Sequence, residues 1–367
     1  MSCNMRLSRI IEKHLKNPKP IDDLEINPNM TVVEFVDKLG GTAYNARKLS
    51  NAAKIWARAI KEKTRIYFTL AGAMTPAGMR RVVAKSMEEG LIDVFVTTGA
   101  NMVHDALQGM YKPHWIGTEC ADDVELAKKR IFRIYDVFLG YDEWYDFDEW
   151  LETVFYPRFV EDGKKDVRLT PGEIFRELGK ELYNRGDRGI LATAYKKKID
   201  IYCPAFMDSG YGIVLNVANR LTLKEKYNAY ISVDQTREYD NLLKDMMKYE
   251  NRSVIVVGGG TPKNFTFQTS MSLPTTKDGQ DICGFKYAVQ ITTDSPQWGG
   301  LSGATLDEAV SWGKIKDGSQ RTIVYSDATL ALPLIVTYVL AKKNKKDEKE
   351  KVSTREGKRI KLVVHAR

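Results

Sequence analysis

The stretch of this 367-residue sequence that most invites a chemical interpretation is "LDEAVSWGKI", residues 306–315, where Lys314 follows an acidic, apolar segment and a Trp-Gly pair. An exposed lysine needs no such setting. A lysine that attacks carbon must first lose its proton, and because its ordinary pKa is about 10.4, it needs apolar shielding to do so. Lys314 is therefore a candidate nucleophile, on the condition that the fold shields it.

The residues just before Lys314 suggest how a pocket could form around it. Glu308 and Trp312 lie one turn apart, so they would share a face of a helix over residues 305–313. Lys314 reaches the same pocket only if that helix ends near Gly313. An anion, a ring wall and an amine would then suit a cationic amine substrate. The alternative is an ordinary amphipathic helix, with the Trp in the core and the Lys near the carbonyl end, where the helix dipole stabilises its charge.

Short runs of β-branched and aromatic residues alternate with helical patterns from Thr64 onward. Such strands interleaved with helices are typical of a mostly parallel sheet that is covered on both faces. We predict an α/β fold with a doubly wound, Rossmann-like sheet over residues 64–340, an N-terminal helical extension over 1–63 and a basic tail over 341–367. The predicted strands lie in "RIYFTLAG", "IDVFVTTGAN", "IDIYCPAF", "SVIVVGGG", "KYAVQITTD" and "TIVYSDA".

Small or acidic residues follow each predicted strand. In an open parallel sheet the carboxyl ends form one crevice, where small residues let a ligand approach the backbone and helix N-termini hold phosphates. This outline fits a nucleotide-type cofactor. However, no G-x-G-x-x-G opens the first unit and glycines after strands are often only turns, so both interpretations stay open. The residues in question are Gly72, Thr97, Thr98, Gly99, Asp208, Ser209, Gly210, Gly258, Gly259, Gly260, Thr293, Asp294, Asp327 and Ala328.

Two segments outside this pattern carry weaker signals. Residues 1–63 have apolar positions at helical spacing, which we interpret as a helical cap or a subunit contact rather than a site. The segment "YDEWYDFDEWLETVFY", residues 141–156, interleaves acids with aromatic rings. We expect an exposed amphipathic helix there; the alternative is a surface that receives a basic or polyamine partner.

The net charge of +8 is concentrated at one end of the chain. Residues 341–367 contain eleven Lys and Arg against four Asp and Glu, so the tail carries +7 and the rest of the chain about +1. A nucleic-acid-binding face on the body is therefore disfavoured. The tail is expected to be solvated; an acidic partner for it is the alternative.

The cysteines and the apolar runs indicate the cellular compartment that we expect for this protein. Four cysteines, at 3, 120, 203 and 283, lie far apart without a C-x-x-C pair, so we expect reduced thiols, no disulfide framework and no metal site. The N-terminus has no apolar signal core, and the run "LALPLIVTYVLA" is too short to cross a bilayer. We therefore expect a cytoplasmic protein without a membrane segment.

Taken together, the motifs resemble those of the deoxyhypusine synthase family. The resemblance runs in order from about Thr64 to Tyr338, and its most specific part is "SWGK". It implies that Lys314 forms a covalent imine, that NAD accepts hydride from spermidine, and that the 4-aminobutyl group passes to one lysine of the precursor of translation factor 5A. The motifs are "VFVTTGANMVHD", "CPAFMDSGYG", "VGGGTPKN", "YAVQITTD", "DEAVSWGKI" and "VYSDATLALPLI".

The same resemblance implies roles for individual residues. Glu308 and Trp312 would contact the amine substrate, and Asp208 and Asp327 would accept hydrogen bonds from ribose hydroxyls. The glycines would admit the pyrophosphate. A homotetramer with active sites at the dimer interface is also implied. The implied NAD pocket comprises Thr97, Thr98, Gly99, Asp208, Gly259, Gly260, Thr293, Asp294, Asp327 and Ala328.

Four positions depart from the family pattern at the amine site. Ile213 and Leu301 stand where acids are expected, and Asn264 stands where a histidine is expected. Each lost carboxylate removes a partner for a cationic end of the substrate, which weakens the case for spermidine itself. His104 also replaces an acid; it is a candidate substrate-binding residue that handles protons near neutral pH, or else a helix cap.

The remaining histidines, at 14, 114 and 365, show no partner pattern, and we expect them on the surface or in the core. The departures leave two alternatives to deoxyhypusine synthesis. One is homospermidine synthesis, or another polyamine aminobutyl transfer to a free amine. The other is a non-catalytic homologue that binds NAD or a polyamine.

Overall fold

A six-stranded parallel sheet forms the centre of the protein. The computed structural model describes residues 19–160, 163–273 and 284–344. Each of the six runs predicted as strands is a strand, and all of them pair in parallel. The strands are β1 (Arg65–Leu70), β2 (Val94–Thr97), β7 (Asp200–Tyr202), β9 (Arg252–Val257), β10 (Phe285–Thr292) and β11 (Ile315–Tyr325).

The strand order identifies where a ligand can enter. It runs β11-β10-β9-β1-β2-β7, so the chain builds outward from β1 in one direction and then, from β9, in the other. This is a doubly wound sheet, and its order reverses between β1 and β9. Phe68 of β1 lies in register with Phe95 on one side and Ile255 on the other. The carboxyl ends of β1 and β9 therefore border the crevice.

Helices cover both faces of the sheet. Along β1, Ile66, Phe68 and Leu70 point into one core cluster and Tyr67 into another, as the alternation of a strand requires. The helices are α1 (Val32–Leu39), α2 (Tyr44–Lys61), α3 (Arg80–Glu88), α4 (Gly99–Met110), α5 (Asp123–Lys128), α6 (Tyr141–Trp150), α7 (Pro171–Asn184), α8 (Ile190–Lys197), α9 (Gly210–Arg220), α10 (Gln235–Met247), α11 (Gly260–Met271), α12 (Glu308–Ser311) and α13 (328–344).

Smaller elements surround this frame. Strands β3 (His114–Ile116), β4 (Ile131–Ile134) and β5 (Val137–Gly140) form an antiparallel sheet, and β6 (Asp166–Leu169) pairs in parallel with β8 (Tyr230–Val233). The sequence patterns did not predict either of these two sheets. Short π and 3₁₀ turns lie at Thr75–Met79, Leu151–Phe155, Tyr156–Phe159, Leu223–Tyr227 and Pro296–Trp298.

The helix expected to open at Pro76 begins later. A π turn spans Thr75–Met79, and within it Gly78 has a φ of 81°, which a residue with a side chain rarely adopts. This residue breaks the helical path, so the regular helix α3 starts only at Arg80.

The segment over residues 141–156 is amphipathic, as predicted. Phe147, Leu151 and Phe155 are fully buried, whereas Tyr145 is 50% exposed. The buried rings lie in the core cluster of the α/β frame. One face of this segment is therefore committed to packing, and only the other is available to a partner.

Helices α1 and α2 belong to the same core as the sheet. The side chain of Thr31 and that of Glu34 form a capping box at the start of α1. In α2, Trp56 is fully buried, its ring centroid lies 5.8 Å from that of Phe68, and its indole N–H donates to the carbonyl of Leu91 at 3.3 Å. The boundary predicted at residue 63 stays a prediction, but the helices before it are packed on the sheet.

Several expectations concern residues outside the described ranges. Cys3, Cys283, His14, His365 and the tail beyond residue 344 lie there. Of the other two cysteines, Cys120 is exposed, Cys203 is buried, and both are free thiols. Within the described ranges, no helix combines the length and the apolar character needed to cross a membrane.

The packing of α2 yields a stability prediction. Trp56→Ala should lower the free energy of unfolding by about 3–5 kcal/mol, because it removes a fully buried ring and leaves a cavity. The matched control is Trp115→Ala, since Trp115 is 68% exposed and should cost far less. Urea unfolding of both variants is the measurement. Equal midpoints for wild type and Trp56→Ala would mean that α2 is not part of the core.

Candidate functional site

A loop of three glycines forms the wall of the crevice between β1 and β9. Gly258 has a φ of 70°, and a Cβ there would lie 3.1 Å from the carbonyl oxygen of Ala71, which follows β1. A Cβ on Gly259 would lie 2.5 Å from the Cα of Ser302. The Gly260 N–H donates to the Ser302 hydroxyl at 3.0 Å and opens helix α11. Ala71 and Ser302 leave no room for side chains on Gly258 and Gly259, whereas the space beside Gly260 is open, so a ligand can approach the backbone there, at the start of α11.

The ends of β2 and β7 meet on the other side of the crevice. Thr97, the last residue of β2, is buried and its hydroxyl donates to the Leu70 carbonyl at 3.1 Å. Thr98 is the N-cap residue of α4, and a Cβ on the next residue, Gly99, would lie 2.4 Å from the hydroxyl oxygen of Ser209. Asp208, in the loop after β7, is exposed. Its carboxylate is therefore available to a ligand.

The ends of β10 and β11 complete this edge of the sheet. Thr293 and Asp294 follow β10 and are exposed. Asp327 follows β11 and accepts hydrogen bonds from the backbone N–H and the hydroxyl of Thr329, both at 2.6 Å, which lowers its pKa. It precedes α13, which begins at Ala328. The structure thus places all the residues assigned to a cofactor pocket at the carboxyl edge of one sheet.

The helix before Lys314 ends where the sequence predicted. Helix α12 is only four residues long, its C-cap is Trp312, and Gly313 has a φ of 68°. The Lys314 N–H then donates to the Ala309 carbonyl at 3.0 Å, which closes the turn. As a result the Lys314 Nζ lies 5.3 Å from the centroid of the Trp312 ring. Both side chains face the same space.

Glu308 also lies in this turn, one helical turn before Trp312. Its carboxylate accepts from the Thr305 N–H at 3.2 Å, and its own N–H donates to the Thr305 hydroxyl at 3.0 Å. Glu308 therefore caps its own helix and remains exposed. The predicted trio of Glu308, Trp312 and Lys314 is brought together within one short segment.

The backbone of Lys314 and the glycine loop lie at opposite edges of the sheet. Lys314 immediately precedes β11, and its carbonyl accepts from the N–H of Phe285 at the beginning of β10. The Lys314 backbone is therefore at the amino edge, while the charge of its side chain acts on Lys263 of α11, the helix that starts at the glycine loop. In addition, Lys314 is only half-buried and Trp312 is 60% exposed, so one chain alone does not supply the expected shielding.

A second lysine, which the sequence reasoning missed, is fully shielded. Lys263 of α11 is 4% exposed, and its Nζ donates to the Gln290 side chain at 3.1 Å and to the carbonyls of Leu301 and Ala304 at 3.3 and 2.5 Å. Burial lowers the pKa of Lys263 to about 8; Glu308 opposes the shift and Lys314 adds to it. Lys263 lies in the motif "GGGTPKN", in which the sequence analysis assigned a role to the glycines but none to the lysine.

The ring of His104 contacts a second histidine and a tryptophan. Its Nδ1 lies 2.9 Å from Nε2 of His114, whose Nδ1 lies 2.6 Å from the Gln108 side-chain oxygen, and its ring packs edge-on to Trp144. Burial, with a smaller effect of His114, lowers the pKa of His104 to about 4. No pattern in the sequence predicts this contact between His104 and His114. A substrate role for His104 stays a prediction.

The other departures from the expected pattern lie on the surface. Asn264 is half-buried on α11, Ile213 is 64% exposed and Leu301 is 49% exposed. Further apolar side chains are also exposed, in loops and near the starts of helices. They are Met207, Trp298, Trp312 and Leu330.

A buried acid, also missed from the sequence, holds the loop that carries Asp208. Glu238 of α10 is 1% exposed, and its carboxylate accepts from the N–H groups of Cys203 at 2.9 Å and Gly172 at 3.3 Å. Burial raises its pKa to about 7. It ties the end of β7 to the start of α7, and nothing in its local sequence distinguishes it from an exposed helical glutamate.

Comparison with known proteins identifies the family. A family model described as deoxyhypusine synthase matches residues 34–339, which include the whole central sheet and both parts of the candidate site. The chain belongs to the deoxyhypusine synthase family. The resemblance seen in the motifs is thereby confirmed, and the family is one of transferases.

Relatives in archaea and bacteria support the same assignment over nearly their full length. Probable deoxyhypusine synthase 1 of Archaeoglobus fulgidus is 40% identical over 316 residues, covering 86% of this chain and 96% of that protein. The protein of the same name from Methanosarcina acetivorans is 38% identical over 328 residues, covering 89% and 96%. A deoxyhypusine synthase-like protein from Chlorobaculum parvum is 33% identical over 332 residues, covering 89% and 91%.

A solved structure agrees in fold. The crystal structure of a candidate deoxyhypusine synthase from Entamoeba histolytica superposes with a TM-score of 0.59 at 17% identity, covering 88% of this chain and 97% of that one. At this identity the likeness concerns the fold alone. It confirms the predicted α/β class.

The burial of Lys263 can be tested by the pH dependence of stability. Its folded pKa of about 8 lies below the ordinary value of 10.5, so between these pH values the folded state binds fewer protons than the unfolded state. The free energy of unfolding therefore rises with pH in this window. From pH 8 to pH 10, wild type should gain about 2 kcal/mol relative to Lys263→Met.

Urea unfolding at the two pH values, with the exposed-site variant Lys61→Met as control, measures the difference. The control should follow wild type. If Lys263→Met and wild type change in parallel with pH, Lys263 is not shielded from water.

Proposed function

We propose that this chain is an NAD-dependent aminobutyltransferase that moves the 4-aminobutyl group of spermidine, through an imine on Lys314, to a lysine of the translation factor 5A precursor. Family membership supports a transferase. The observation that carries the specific proposal is the end of α12 at Gly313, which turns the Lys314 amine to within 5.3 Å of the Trp312 ring centroid. A ring and the Glu308 carboxylate next to an amine suit a polyamine substrate.

The carboxyl edge fits a dinucleotide. Gly260 opens α11 and has open space beside it, and Asp208 and Asp327 offer carboxylates for ribose hydroxyls. NAD bound there would accept the hydride taken from the donor amine and would return it to the imine formed with the acceptor, so that the cofactor is unchanged after one turnover. The residues that would hold it are Thr97, Thr98, Gly99, Asp208, Gly259, Gly260, Thr293, Asp294, Asp327 and Ala328.

Within this proposal Lys314 is the covalent nucleophile. Its Nζ attacks the oxidised carbon of the substrate, forms an imine with the aminobutyl group, and the diamine fragment leaves. The acceptor amine then displaces Lys314 from that carbon. Glu308 would hold a substrate ammonium, and the Trp312 ring would line the pocket.

The site is proposed to form between subunits. Lys314 lies at the amino edge and is half-buried in a single chain, while the crevice lies at the carboxyl edge. Trp298, Leu301 and Trp312 are exposed apolar residues in the connection between β10 and β11, and exposed apolar surfaces mark contacts between chains. We propose a homotetramer with active sites at the dimer interface, in which the partner supplies the missing shielding.

One observation bears on an alternative acceptor of the aminobutyl group, in place of the translation factor precursor. Ile213 and Leu301, which replace expected acids, are exposed by 64% and 49%, so they place apolar rather than anionic groups on this surface. Each lost carboxylate removes a partner for a cationic end of spermidine, which weakens the case for the family's usual reaction. Homospermidine synthesis, or another aminobutyl transfer to a free amine, is therefore kept as the second candidate.

Borohydride trapping tests the imine. Wild type incubated with spermidine and NAD, then reduced, should gain one aminobutyl group on Lys314, detected by intact-mass and peptide analysis. Lys314→Arg should gain none and lose turnover, yet keep NAD binding. The control is Lys316→Arg, two residues further along, which should behave as wild type. An adduct in Lys314→Arg would rule out this lysine, and no adduct in wild type with any polyamine would favour a non-catalytic binding protein.

A labelled donor distinguishes the acceptors. With spermidine labelled in the aminobutyl group, label should enter the 5A precursor when that protein is offered. If label enters only homospermidine when putrescine is offered, the protein-modifying reaction is ruled out and the second candidate stands.

A further inference from the structure

A cavity of about 610 Å³ lies between α7, α8 and the edge strand β7, away from the proposed site. It reaches Asp200, the first residue of β7, so it opens at the amino edge of the sheet, whereas Asp208 and the glycine loop lie at the carboxyl edge. Its volume is that of a small-molecule site. Neither the family pattern nor the proposed reaction uses it.

The packing of two helices creates this space. A Cβ on Gly179 of α7 would lie 2.5 Å from the Leu191 carbonyl oxygen of α8, so the two helices touch backbone to backbone at this point. Phe175, one turn before Gly179, and Leu191 line the cavity and are fully buried. One turn after Gly179, Tyr183 packs its ring against that of Tyr195, with centroids 5.8 Å apart. The cavity therefore has an apolar floor and an aromatic wall.

The rim is positively charged. Arg176 lines it and pairs with Asp200 at 2.6 Å, so these two charges balance. Lys196 and Lys198 also line it, and within the described ranges neither has a salt bridge or a side-chain hydrogen bond. Lys198 has a φ of 57°, an uncommon conformation for a residue with a side chain, and it caps α8. Two free cations thus stand at one end of an apolar, aromatic cavity.

A neighbouring cavity provides a comparison. It measures about 380 Å³ and shares Lys198, but it is also lined by Glu88, Glu89 and Asp93. Its cations are therefore largely matched by acids. The smaller cavity is lined by four cations and three acids and the larger one by three cations and one acid, so the larger cavity has the greater excess of positive charge.

We propose that the larger cavity binds a small phosphate-bearing ligand with a planar ring, of the chemical class of the nucleoside monophosphates. Lys196 and Lys198 contact the phosphate, because two ammonium groups match a dianion. The Tyr183–Tyr195 pair contacts the ring by offset or edge-on packing. The proposal does not depend on the transferase reaction, since none of these residues belongs to that site.

Isothermal titration of the full chain with AMP tests the proposal. AMP should bind, and adenosine and inorganic phosphate should each bind at least about tenfold more weakly, because each satisfies only one half of the cavity. The double variant Lys196→Ala/Lys198→Ala should weaken AMP binding by at least about tenfold. Tyr183→Leu should weaken AMP and adenosine binding but leave phosphate binding unchanged.

The matched control is Lys197→Ala, which removes the intervening lysine of the same turn; this residue does not line the larger cavity. It should bind AMP as wild type does. Because all three lysines are exposed, circular dichroism should show the same fold in every variant. No binding of AMP would overturn the proposal. AMP binding that is unchanged in the double variant would also overturn it, since the nucleotide would then bind elsewhere, for example in the crevice.

Discussion

Parallel strand pairing is the constraint on which the rest of this structure depends. Each connection between two parallel neighbours must leave the carboxyl edge of the sheet and return to its amino edge. All six strands of the central sheet are paired in this way. The residues that follow the strands therefore meet at one edge, although they are far apart in the sequence. The same rule moves every segment that precedes a strand to the opposite edge.

The connection from β10 to β11 shows both consequences at once. Near its beginning, Ser302 accepts a hydrogen bond from the glycine loop at the carboxyl edge. At its end, Lys314 enters β11 at the amino edge. On either side of Ser302, Lys263 ties the connection to α11 through the carbonyls of Leu301 and Ala304. A buried ammonium that donates three hydrogen bonds is a strong and specific anchor, because leaving any of these groups unpaired would cost free energy.

Buried charge anchors the other side of the sheet in a similar way. Asp105 of α4 is fully buried and accepts from the first two N–H groups of α8, at Ile190 and Leu191, each at 2.8 Å. It also pairs with Arg80 at 2.6 Å. The Glu238 carboxylate likewise accepts from backbone N–H groups, and it links the end of β7 to the start of α7. Charged groups inside the domain thus hold the helices and loops that form the crevice and the second cavity.

The sequence by itself determined the α/β class, the six strands, the residues that follow them, the end of α12 at Gly313 and the family. These are properties of short segments: alternating or continuous apolar runs, glycines at the ends of strands, and one specific motif. Only the tertiary structure decided the strand order, the pairing of His104 with His114, the burial of Lys263 and Glu238, and the position of Lys314 at the amino edge. Each of these depends on contacts between residues that are distant along the chain, and no local pattern records which distant segment will cover a given side chain.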